Sequence, residues 1–283
     1  MVVQQVIELA AVGLLAGIFG AILGIGGGMI ITPVLTIMMG IDIKYAIGAS
    51  IIAVIATSSG ATIVYIKDDL LNLRVAMFLE IATTIGAITG ALLTGVIPHA
   101  LLYVFFGLLL IYSSTNMIRK LRGTADERYQ PVQPDKWSER LNLNGSYRDI
   151  IEHKNVDYEV KNVPGGFAMM YGAGVASGLL GIGSGAFKVI AMDTIMKMPL
   201  KPSSATSNLM MGVTAAASAT VYFFNGSIQP QIAAPLAIGI LVGATIGTRI
   251  MQHLRPRVIR MIFIPILIYM GLQMALKGFG VTI

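Results

Sequence analysis

Long apolar runs recur along this chain near 4–23, 45–66, 74–95, 98–118, 165–181, 203–224, 230–250 and 258–276, separated by short polar breaks. Most reach the roughly 20 residues that a membrane-spanning helix needs. Two further apolar stretches, 29–39 and 186–196, are too short. A helix of that length rises about 16 Å, roughly half the hydrocarbon thickness. They therefore read as broken segments, either crossing or re-entering the membrane. One hydrophilic stretch, 119–163, holds Trp137 and much of the charge, and reads as a mixed-charge linker with room for short surface helices. The pattern predicts an all-α polytopic membrane protein with about eight long transmembrane helices plus two short segments.

The pattern also repeats. Gly24-Ile25-Gly26-Gly27-Gly28 aligns with Gly181-Ile182-Gly183-Ser184-Gly185, an offset of 181 − 24 = 157. The same offset pairs Gly17 with Gly174, Ser50 with Ser207, Thr57 with Thr214, Tyr65 with Tyr222, Gly86 with Gly243 and Gly90 with Gly247. It continues through Tyr112 with Tyr269 and Met117 with Met274. Ungapped glycine matches over so long a stretch indicate an internal duplication.

Charge gives the orientation of the two copies. Lys67 and Arg74 flank a loop whose second-copy counterpart, 225–229, has no basic residue. Conversely, His253, Arg255, Arg257 and Arg260 crowd a loop whose first-copy counterpart, 95–99, has no Lys or Arg. Equivalent loops with opposite bias lie on opposite sides of the membrane, which makes the repeat inverted. Lys67, Arg74, Arg119, Lys120, Arg122, Lys197, Lys201, Arg249, Arg255, Arg257 and Arg260 are then cytoplasmic, and Lys44 and Lys277 face outward. The expected organisation is a first transmembrane repeat over 1–118, a cytoplasmic linker over 119–163 and a second repeat over 164–283.

Composition narrows the function classes. Hydrophobic residues make up 55% and charged residues 12% of 283, against about a quarter charged in soluble domains. A chain this size cannot hide so much apolar surface in its own core, so lipid is its solvent and a cell (inner or plasma) membrane its location. The net charge of +6 lies beside apolar runs, as topology markers do, and does not suggest nucleic acid. Without cysteine there is no disulfide framework or thiolate metal site, and His99, His153 and His253 are too dispersed for a metal centre. The chain starts without a basic leader or clear cleavage site, so its first apolar run reads as a retained helix. No H-E-x-x-H, G-x-S-x-G or Walker motif is present, so neither an enzyme nor an ATP-driven pump is expected, and no cofactor is called for.

The motif Gly24-Ile-Gly-Gly-Gly-Met-Ile-Ile-Thr-Pro33-Val-Leu, followed by Gly40 and Ala49-Ser50, resembles the TauE/SafE-type sulfite exporters. The run from Gly181 through Ser203-Ser204-Ala205-Thr206-Ser207-Asn208 is similar to that family's second copy. The resemblance implies a permease for sulfite, organosulfonates or related sulfur oxyanions. The second copy departs from the first in reading Ser184 and Lys188 for Gly27 and Ile31, and in lacking the proline of Pro33.

Three groups of residues could carry the chemistry. Consecutive glycines at membrane depth weaken a helix, and broken backbone in lipid is tolerated only against protein or a cavity. The short helices following Gly26, Gly27 and Gly28 and following Gly183, Ser184 and Gly185 would point free amides at a small anion. Close helix packing is the competing role for such glycines, as for Gly13/Gly17 and Gly86/Gly90. Among neutral donors, Ser50, Thr57, Ser58, Ser59, Thr206, Ser207, Asn208 and Thr214 are candidates, with the mates Ser50 and Ser207 and the amide of Asn208 favoured; bonding to their own helix is the alternative. Charged groups inside apolar runs come last. Glu80 is a candidate proton-coupling carboxylate, and Lys188 a candidate anion ligand unless Asp193 pairs with it. The expected activity is secondary transport of a small anion by alternating access, with protons as a coupling partner; an anion channel is the alternative.

Overall fold

The computed structural model describes residues 3–23, 26–67, 70–122, 132–149, 154–251 and 256–280. Gly24, His153, His253 and Arg255 lie outside them. The first half runs α1 (Val3–Leu23), α2 (Gly28–Pro33, continuing as a wider π turn over Val34–Met38), α3 (Ile43–Lys67), α4 (Leu73–Val96) and α5 (His99–Arg122). After α6 (Lys136–Arg140) and the strands β1 (Gly145–Asp149) and β2 (Lys154–Tyr158), the second half runs α7 (Val163–Leu180) and α8 (Gly185–Ile190, continuing as a π turn over Ala191–Ile195). It closes with α9 (Leu200–Phe224), α10 (Pro230–Met251) and α11 (Pro256–Gly278). Eight of these helices have 18 to 25 residues. Six are long and apolar enough, by length and composition, to cross a membrane.

The duplication holds at element level. Shifting the start of α2 onto that of α8 takes 185 − 28 = 157 residues, and the same shift carries Ile43–Lys67 onto Leu200–Phe224 end for end. Both short helices widen at the same place, with Met39 N–H donating to Val34 O and Met196 N–H to Ala191 O. Only the first contains a proline, Pro33, so the π turn belongs to the repeated backbone and not to proline.

Contacts between the halves fix their relative direction. Gly48 lies against Ser227 and Gly60 against Ala244, so α3 runs parallel to α10. The α9–α10 connection is a tight reversal, Asn225 N–H donating to Val221 O and Ser227 N–H to Tyr222 O. Hence α3 and α9, which are repeat mates, run antiparallel. The mate-related pair α4 and α9 is parallel, with Asn72 bonded to Thr206 and Glu80 to Thr214. Two units packed this way are inverted relative to one another, as the loop charges predict. The helix ends near Lys67, Arg74, Arg119, Lys201, Arg249 and Arg257 then share one membrane face, and Lys44 and Lys277 the other.

Close backbone packing joins the units at the periphery. A Cβ at Gly13 would stand 2.5 Å from Leu236 O, and one at Gly17 2.6 Å from Ile240 O, so α1 and α10 meet through small residues. Gly86, Gly90, Gly174 and Gly178 do the same between α4 and α7. The glycines at 13/17 and 86/90 thus serve close helix approach.

Each short helix starts at depth. Gly28 lies beside Ser50, two turns into α3, and the π turn ends where α3 begins. Helix α2 turns back along α1 as a hairpin, and with that hairpin counted as re-entering, α3, α4 and α5 supply the odd number of crossings that inversion requires. The linker differs from a purely helical surface element. Its β1–β2 hairpin pairs Gly145 with Tyr158 and Asp149 with Lys154. Leu143, Tyr147, Tyr158 and Val160 pack into one core with Val75 and Leu79 of α4 and with Met192, Met196 and Met198. Asn72 makes the joint: its Oδ1 caps α4 by accepting from Val75 N–H at 3.1 Å, while its Nδ2 donates to Leu143 O at 3.2 Å and Tyr158 Oη at 3.0 Å.

Candidate functional site

The two glycine breaks meet at one point. Gly26 and Gly183 are repeat mates, 183 − 26 = 157, and both adopt left-handed backbone with φ of 70° and 71°. Only glycine takes this conformation without steric cost. The same two side chains, Val54 and Met211, lie against both. These are themselves mates, 211 − 54 = 157, so both breaks sit where α3 and α9 cross on the pseudo-two-fold axis. Ser184 completes the second break in the left-handed region at φ 48°, despite its Cβ. The α8 chain therefore enters its helix through a strained residue, where α2 enters through Gly27 at φ −58°.

Around this crossing lie the residues singled out above. Gly26, Gly27, Gly28, Gly183, Ser184, Gly185, Ser50, Lys188, Ser207, Asn208 and Glu80 are all buried. Ser50 Oγ reaches across the axis to donate to Gly181 O at 2.7 Å, and a Cβ on Gly28 would meet both atoms. Ser207 stays within its own unit, donating to Gly185 O at 3.1 Å. Asn208 Nδ2 donates to Ser204 O at 2.9 Å, one turn back. Among the described residues, Ser184 Oγ, Asn208 Oδ1 and Glu80 Oε2 are buried side-chain atoms without a hydrogen-bond partner.

The charged pair is joined through a hydroxyl. Lys188 Nζ donates to Thr214 Oγ1, and Thr214 Oγ1 lies 2.7 Å from Glu80 Oε1. Thr84 Oγ1, one turn along α4, also reaches Glu80 Oε1 at 3.2 Å. Burying either charge alone would cost several kcal/mol, roughly, and pairing with hydrogen bonds offsets that cost. In the sequence Thr214 stands out only as one of eight hydroxyl and amide candidates. Its bridging position depends on α4, α8 and α9 converging, which no local spacing reveals. Thr84 is different: it follows Glu80 by four residues on α4, a helical spacing that the sequence carries. For Thr214 the signal is the offset of 157 from Thr57. Asp193 lies five residues from Lys188 and four from Lys197, spacings at which it could pair with either; Lys188 Nζ bonds to Thr214.

The profile described as "Sulfite exporter TauE/SafE" matches residues 9–274. The chain belongs to the TauE/SafE family. As a TauE/SafE protein it is a multi-pass membrane transporter. It is 25% identical over 277 residues to the probable membrane transporter protein YunE of Bacillus subtilis, covering 95% of this chain and 97% of that one. A probable membrane transporter protein of Methanocaldococcus jannaschii is 28% identical over 283 residues, covering 95% and 94%. The sulfite exporter TauE/SafE family protein 5 of Arabidopsis thaliana is 32% identical over 107 residues, 37% of this chain and 24% of that one. No solved structure matches the chain.

Proposed function

We propose that this transporter moves a small sulfur oxyanion, sulfite or an organosulfonate, by alternating access around the crossing of α3 and α9. The observation that carries the reading is the meeting of both glycine breaks at Val54 and Met211 beside a buried lysine. The helices that start at Gly28 and Gly185 direct their first-turn amides toward this region, where a positive dipole end favours an anion. Ser184 Oγ and the second N–H of Asn208 add neutral donors, Ser50 and Ser207 join them only by releasing the carbonyls of Gly181 and Gly185, and Lys188 supplies the charge. Glu80, the carboxylate in the same network, is the proton-coupling group. Complete burial of these residues fits a closed site that opens by movement of the units, and speaks against a continuously open pore.

Flux of labelled sulfite, methanesulfonate, sulfate and chloride into proteoliposomes, with and without an imposed pH gradient, tests this reading. Saturable sulfite or sulfonate flux that an inward proton gradient accelerates is expected. Glu80→Gln should retain binding and lose that acceleration. Flux indifferent both to the gradient and to this substitution would remove proton coupling, and chloride as the preferred ion would remove the substrate class. Reporter fusions are expected to place residue 70 in the cytoplasm and residue 227 outside.

A further inference from the structure

Thr214 Oγ1 has more neighbours than a single hydroxyl proton can serve. It accepts from Lys188 Nζ, and it lies 2.7 Å from two acceptors, Met210 O and Glu80 Oε1. A hydroxyl has one proton to give and two lone pairs. With Glu80 ionised, Thr214 donates to Oε1, and Lys188 → Thr214 → Glu80 forms an unbroken, charge-neutral chain. With a proton from solvent on Oε1, the carboxyl donates to Thr214, whose own proton turns to Met210 O. Every contact is then satisfied again, and the Lys188 charge is left without a counter-ion. The same heavy-atom positions serve both states, and only the hydroxyl proton rotates.

We infer that the Thr214 hydroxyl is the positioning residue that couples proton uptake at Glu80 to anion binding at Lys188. The inference rests on the function proposed above and specifies its coupling. In the ionised state Glu80 compensates Lys188 through Thr214 and competes with an incoming anion. Protonation withdraws that compensation, so proton and anion bind together and travel in the same direction. Lys188 is the charged group facing Glu80. Of the helices packed on α4, α7 carries no Asp, Glu, Lys, Arg or His, and its Tyr171 is exposed. On α9, Lys201 lies at the N-terminal end and Tyr222 is bonded to Thr94. Asp193 follows Lys188 on the π turn of α8.

The test is calorimetric binding of methanesulfonate, whose charge is constant over the range, to full-length protein in lipid nanodiscs from about pH 5.5 to 8.5. Sulfite is titrated in parallel, with its own protonation subtracted. For one linked proton the wild-type affinity should fall about tenfold per pH unit above the coupling range. Thr214→Val should bind with that slope reduced to below about twofold per unit. Thr214→Ser should restore it, and Thr214→Ala serves where the valine variant does not fold. A wild-type slope in the valine or alanine variant overturns the role of Thr214 while leaving anion binding intact. A slope that persists in Glu80→Gln, or is missing from the wild type, overturns the coupling. Failure of the wild type to bind either anion removes the proposed function, and the inference with it.

Discussion

The two halves of this transporter share a backbone and differ in charge around one repeated threonine. In the second unit, Thr214 bonds back to Met210 O and bridges Lys188 to Glu80. In the first, its mate Thr57 bonds back to Ala53 O at 2.9 Å, the equivalent carbonyl. There the lysine is replaced by Ile31 and the glutamate, 80 + 157 = 237, by Ala237. Helix, threonine and back-bond are retained, and both charges are gone. An inverted duplication gives two equivalent half-sites facing opposite sides. Placing the charges in one of them gives a single charged contact while leaving the scaffold symmetric. The comparison teaches that the repeated glycines and helices supply the frame, and the unrepeated residues the charged pair.

The largest effect should come from splitting the charged pair. Lys188→Met leaves Glu80 buried beside a lone hydroxyl network and should lower stability by about 3–5 kcal/mol. Combining Lys188→Ile with Glu80→Ala reproduces the chemistry of the first unit and should recover most of that loss, with transport still absent. Thermal unfolding in detergent reads the first quantity and proteoliposome flux the second. A double variant as unstable as Lys188→Met would mean that the two charges do not compensate each other.

The glycine breaks offer a second asymmetry. A Cβ at Gly183 would stand 2.7 Å from Val54 Cγ1, whereas at Gly26 the nearest atom is Met211 Sδ at 3.4 Å. Both alanine variants carry the left-handed backbone cost of about 1–2 kcal/mol. Gly183→Ala adds overpacking worth about 1–3 kcal/mol. Adding Val54→Ala should relieve that extra part at Gly183 alone. Equal unfolding midpoints for the two glycine variants would show that the crossing is slack enough to absorb a methyl group.

Much of this architecture was readable from the sequence. The eight long runs, the two short segments and the offset from Gly24 to Gly181 follow from apolar patterning and glycine spacing, which act locally. Inversion was readable because loop charge records sidedness. Whether 29–39 and 186–196 re-enter was not, since that depends on Gly28 lying beside Ser50. The hairpin at Gly145–Tyr158 was also hidden, because its short strands are stabilised by docking onto α4 and not by their own pattern. At the site, Glu80 and Lys188 stood out as charges in apolar runs. Their joining by Thr214 did not, because it is a meeting of three helices distant in sequence.

The cap of α4 separates the units more mildly. Asn72 holds both the first turn of α4 and the linker hairpin, and its mate, 72 + 157 = 229, is Gln229 at the start of α10. Asn72→Ala should cost about 1–2 kcal/mol, as lost caps do, and speed proteolysis within the linker. Gln229→Ala, on the opposite face, should change stability by less than about 0.5 kcal/mol, like most surface substitutions. Equal protease sensitivity of the two variants would detach the hairpin from Asn72.

The smallest effect is expected at Thr57. Its hydroxyl donates to Ala53 O, a bond that a helix does not need, because the carbonyl already accepts from the backbone. Ile31 and Ala237 give it no charged neighbour to bridge. Thr57→Val should therefore shift stability by no more than about 0.5 kcal/mol and leave proton-driven flux near the wild-type rate. Thr214→Val, the same chemical change at the mate position, should lose the coupling. The pair controls for volume, helix position and loss of the back-bond, so a difference between them isolates the bridge to Lys188 and Glu80. If Thr57→Val uncouples transport as fully as Thr214→Val, the half-sites are equivalent in function, and the coupling must lie in something both units retain.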